Sequence, residues 1–115
     1  MKVQTFTIDD ASFERSPDQD GDIFAANLVD ERHGAPITIG YGRYGPHAEL
    51  TETMGVDDVM VILEGSLVIT SDGKAWTVGP GGIVHMPKEE RVTIRAEDSG
   101  AVTAYVTHPH WREAR

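Results

Sequence analysis

Twelve glycines and six prolines cut this 115-residue chain into short runs rich in valine, isoleucine and threonine. That punctuation leaves almost no stretch long enough for a helix. β-Branched side chains lose rotamer freedom in a helix but pack well on a pleated surface. MKVQTFTI, IFAANLVD, APITIGYGRY, HAELTETM, DVMVILEG, SLVITS, KAWTV and AVTAYVTHP each read as a strand. Asp72-Gly73 is the strongest short hairpin signal, because a two-residue turn needs positive φ and glycine adopts it freely. Many strands in succession, hairpin-connected and without a crossover helix, predict an all-β fold, an antiparallel barrel or jelly roll.

The length suits one domain spanning residues 1–115, with 1–39 as an N-terminal arm and edge strands. A net charge of −9 would repel nucleic acid and anionic membranes, so neither is an expected partner. Without cysteine there is neither a disulfide nor a thiolate metal site. No apolar run reaches the ~18 residues of a membrane span, and MKVQTFTIDD has no signal-peptide core, so the expected location is cytoplasmic.

Three stretches, in order and between residues 40 and 111, resemble the cupin family of small double-stranded β-helix barrels. DDVMVILEGSLVI is similar to the first cupin motif, SDGKAWTVGPGGIVHMP to the opening of the second, and AYVTHPHW to the ending of the ethanolamine-utilisation, EutQ-type branch. The resemblance implies a metal site of three histidines and a carboxylate. In this chain those positions fall on Glu52, Met54, Asp58 and Val92. Only Asp58 keeps the chemical character of its position, and Met54 and Val92 are poor ligands for a hard divalent ion. The EutQ-type branch likewise departs from the standard ligand set.

GGIVHMPKEERVTI (81–94) reads as two strands folded about a turn at 87–90. In that register His85 faces Val92 and points into the barrel; a slip of one residue turns it outward. The inward register would join Glu52, Asp58 and His85 in a relocated polar centre, near His47. Such a centre could hold a divalent metal, or act without one as a general acid and base. Alternatively, His85 is a core residue that hydrogen-bonds a carboxylate. Tyr105, on the last strand, could orient a ligand, and Arg43 and Arg95 could anchor an anionic one. His33 and the His108-Pro109-His110 stretch read as surface residues.

Two functions remain open at this level. One is a lyase, isomerase or cyclase acting on a small polar metabolite inside the barrel. The other is a non-catalytic metabolite-binding or microcompartment assembly module. A homodimer is expected, because unpaired strand edges invite association.

Overall fold

The computed structural model describes residues 2–17 and 21–112. The described residues form eight strands: β1 (Glu14–Arg15), β2 (Ile23–Val29), β3 (Thr38–Tyr44), β4 (Glu49–Thr53), β5 (Asp57–Ser71), β6 (Lys74–Val78), β7 (Ile83–Met86) and β8 (Arg91–His108). Two 3-10 turns, Ile8–Asp10 and Glu31–His33, are the helical elements among the described residues. Every strand pairing is antiparallel.

Two strands are much longer than the sequence suggests. DVMVILEG and SLVITS are one 15-residue strand, β5, and RVTI runs on through AVTAYVTH as the 18-residue β8. The two pair along their lengths, with register shifts beside Glu64 and Gly65. Gly65 and Gly100 have φ of 74° and 69°, and a Cβ on Gly65 would collide with the Gly100 carbonyl oxygen. These glycines are therefore the corners at which both strands fold over. One layer holds β1, β2, β3, the C-terminal half of β8, the first half of β5, and β7. The other holds β4, the first half of β8, the second half of β5, and β6.

Alternation then fills the interior. Met60 and Ile62 from β5, Leu50 and Met54 at β4, Val84 and Met86 from β7, and Val92, Ile94 and Ala96 from β8 form one buried cluster. The Asp72-Gly73 turn has φ of 50° and 73°, both positive, as a tight hairpin between β5 and β6 requires.

Two expectations are corrected. MKVQTFTI is not a strand: residues 2–7 have no regular structure, and Val3 is 96% exposed. Its alternation has no buried face to serve. The stretch 81–94 is not a hairpin either. β7 pairs with β5, whereas the start of β8 pairs with β4 and with the far half of β5. Between them the chain crosses from one layer to the other, held by Lys88 N–H donating to Asp57 Oδ1 (3.0 Å) and Glu89 N–H donating to the Met54 carbonyl (2.7 Å).

Candidate functional site

The layers part at one end of the barrel and leave a cavity of about 180 Å³. Its polar wall comes from alternate positions on three adjacent strands. Asp58 pairs with Thr107, Met60 with Tyr105, Ile62 with Thr103, and Gly42 with Thr103. Tyr44 and Glu52 reach the same space from β3 and β4, and Met54, Met60 and Met86 supply apolar wall.

Asp58 is a strongly perturbed group there. Burial, and then the charge of Glu52, push its carboxyl from 3.8 up to about 7. Its Oδ1 is buried without a hydrogen-bond partner, as are the hydroxyls of Thr103 and Thr107. Natural proteins rarely leave buried polar atoms unpaired, and three orphans on one cavity wall fit a site that a ligand completes. Burial, and then the charges of Asp58 and Glu52, also push the Tyr44 hydroxyl up. Tyr105 is raised chiefly by burial. Both phenols therefore stay protonated near neutral pH.

Behind Tyr105 lies a network built from distant parts of the chain. The Tyr105 hydroxyl donates to Asn27 Oδ1 (2.5 Å), and the indole N–H of Trp111 donates to the same oxygen (2.9 Å). Asn27 Nδ2 donates to Asp30 (3.3 Å). Asp30 is fully buried and accepts from the backbone N–H of Arg32 (3.0 Å) and from its guanidinium (2.7 Å at closest). The Arg32 guanidinium holds the Asp30 carboxyl well below the usual carboxylate range. Gly40 makes room for this arrangement: a Cβ there would lie 2.6 Å from the Tyr105 hydroxyl and 2.5 Å from the Ala26 carbonyl oxygen.

Glu52, Asp58 and Tyr105 thus line one cavity, but the other residues singled out from the sequence lie elsewhere. His85 pairs with Val59 on the outer face, 62% exposed and 4.0 Å from Asp57, while its neighbour Met86 points inward opposite Asp58. The one-residue slip follows from β7 pairing with β5, which fixes the alternation differently from a β7–β8 hairpin. His47 is exposed with Nε2 3.2 Å from Asp98. Arg43 stacks over the rings of Phe13 and Phe24, 5.0 Å from each centroid, and Arg95 is exposed opposite Glu49. His33 is exposed, as expected, at the end of the Glu31–His33 turn, and its Nδ1 accepts from the Asp30 N–H (3.1 Å). His110, expected at the surface, is 8% exposed: Nε2–H donates to the Ala35 carbonyl (2.8 Å), and Nδ1 lies 2.7 Å from the Thr38 hydroxyl.

The residues present do not fit the metal site of the standard barrel. Met54 and Val92 are buried apolar side chains, His85 is outside, and no group of three His, Cys, Asp or Glu among the described residues could hold an ion. The trio Glu52, Asp58 and His85 is not brought together.

Sequence reasoning missed Asn27, Asp30, Trp111, Thr103 and Thr107. The two threonines were visible in principle, since they alternate with Tyr105 along AVTAYVTH.

Bent long strands, a two-layer barrel and an interior site at the positions of the metal ligands define a cupin. The chain matches the family model described as Ethanolamine utilisation protein EutQ over residues 10–113 and belongs to that family. No curated protein matches it by sequence. Among solved structures, it is 56% identical to a structural-genomics protein of unknown function from Rhizobium leguminosarum bv. viciae 3841, covering 96% of this chain and 100% of that one, with a TM-score of 0.80. The Clostridium difficile EutQ protein is 21% identical over 76% of this chain and 68% of its own, with a TM-score of 0.69. The polyketide cyclase RemF from Streptomyces resistomycificus is 17% identical over 93% and 80%, with a TM-score of 0.80. No helix among the described residues is long and apolar enough to cross a membrane.

Proposed function

We propose that the barrel binds a small polar metabolite and that Asp58 exchanges a proton with it, in a reaction of the lyase, isomerase or cyclase kind. The observation that carries this reading is the Asp58 carboxyl, with its unpartnered Oδ1 and a pKa of about 7 inside a cavity. A carboxyl that titrates near ambient pH can both take and give a proton, whereas an ordinary aspartate can do little but stay ionised. Tyr105, fixed by Asn27, would orient the bound molecule, and burial, then the charge of Glu52, keeps the Asp58 pKa high. The methyl groups of Met54, Met60 and Met86 all line the cavity. In a screen of small polar metabolites, binders should therefore shift these three methyl NMR signals together. Binders that shift only residues of the outer face would contradict the reading.

The protein is also proposed to work as a homodimer, through a sheet face rather than an edge. The outward side of β7, β5 and β8 carries Ile83 (69% exposed), Leu63 (40%), Val59 (39%) and Val106 (39%). Val59 pairs with Val106, and Val61 pairs with both Ile83 and Ala104, so the stripe is continuous. Contiguous apolar patches of this kind usually mark an interface. Light scattering at micromolar concentration should give twice the 12.6 kDa chain mass. The double variant Val59→Glu, Ile83→Glu should give a folded monomer, and a wild-type monomer would contradict the proposal.

A further inference from the structure

The hydrogen-bond polarity of the cavity wall selects what can enter it. Trp111 Nε1–H can only donate, and it points at Asn27 Oδ1. That contact, with Nδ2 facing the Asp30 carboxylate, fixes which way round the Asn27 amide lies. Asn27 Oδ1 is an acceptor, so the Tyr105 proton is committed to it. The Tyr105 oxygen then has only acceptor capacity left, part of it shared with the Trp111 N–H. Asp58 adds an unpartnered carboxyl oxygen, and Glu52 a second acidic side chain on the lining. Thr103 and Thr107, 1% and 2% exposed, add two unpartnered hydroxyls that can accept as readily as donate.

No cation balances these acceptors; the Tyr44 hydroxyl is a neutral donor on the same lining. Among the described residues that line the cavity there is no lysine, arginine or histidine. Arg43 is held over two phenylalanine rings, and Arg95 is exposed on the outer side of its strand. An entering carboxylate or phosphate would meet two acidic side chains and no cation, in a setting where low dielectric strengthens repulsion. The chain's net charge of −9 repels anions further and draws cations in.

We infer that the cavity takes a small organic cation, a protonated amine whose N–H groups are received by Asp58, Tyr105 and the two threonine hydroxyls, and that it rejects carboxylates and phosphates. This rests on the reading of the barrel as a small-molecule site. An ammonium group supplies several donors on one atom, which is what these four acceptors and an acidic neighbour can satisfy at once.

The test compares three probes of one size at constant ionic strength and pH 8: n-butylammonium, butyrate and 1-butanol. Methyl NMR of Thr103, Thr107 and Met86 reports binding inside the barrel. The expected result is that butylammonium shifts these signals and binds at least tenfold more tightly than butyrate. In Asp58→Asn that preference should shrink by at least tenfold. Butyrate binding at the same methyls as tightly as butylammonium, or an unchanged preference in Asp58→Asn, would overturn the ligand class while leaving the small-molecule site intact. Silence of all three probes at the cavity methyls would overturn both.

Discussion

Asp30→Ala should lose about 2–3 kcal/mol of stability and, with it, the placement of Tyr105. The substitution removes a fully buried carboxylate that accepts from the backbone N–H and guanidinium of Arg32, from Asn27 Nδ2 and from Arg112 at 3.5 Å. It also removes the N-cap of the Glu31–His33 turn, a loss of about 1 kcal/mol by itself. Leaving buried donors without an acceptor costs about 1–3 kcal/mol. Arg32 and Arg112 are 57% and 41% exposed, so solvent takes over part of their interaction and holds the total down. The sign with pH is fixed by the lowered carboxyl pKa: the contribution is present above the unfolded value near 4 and is lost as pH falls below it. Urea unfolding at pH 7 should show the full deficit, and at pH 3 a smaller one. An equal midpoint for the variant and the parent at pH 7 would contradict the role of Asp30.

Asp58→Asn should do the opposite and stabilise the protein. A carboxyl raised from 3.8 to about 7 makes the folded state bind a proton that the unfolded state has already released. Its favourable contribution is complete below pH 4 and is lost progressively as pH rises through 7, a penalty on the order of 4 kcal/mol by pH 8. Asparagine removes the charge but keeps a polar group in the same pocket, so the recovery is smaller, about 1–3 kcal/mol. The gain over the parent should be near zero at pH 4, grow up to about pH 7 and level off above it. A difference that does not change with pH would mean that the carboxyl is not perturbed. Such a gain is what a working group kept at the expense of stability looks like.

Most strands could be placed from the sequence because glycine, proline and β-branched runs act locally. Asp72-Gly73 turned where expected for the same reason. The bends at Gly65 and Gly100 could not be seen that way, since a glycine at a barrel corner looks in sequence like a glycine at a strand end. His85 was misplaced by one residue because register depends on which strand is the neighbour, and β7 takes β5 rather than β8. Glu52, Asp58 and Tyr105 share the cavity wall because period-two alternation carried each of them inward. The support for Tyr105 was invisible for a different reason. Tyr105 and Trp111 reach Asn27 from 78 and 84 residues away, and Arg112 reaches Asp30 from 82. No local pattern joins such partners; only the closed barrel does.

The proposed role of Asp58 requires a carboxyl that exchanges its proton near neutral pH, and a carbon-13 NMR titration of the aspartate side chains reads that midpoint. One resonance, identified by its absence from Asp58→Asn, should titrate with a midpoint close to 7. A midpoint near 4 for that resonance, as for an aspartate in water, would contradict that role.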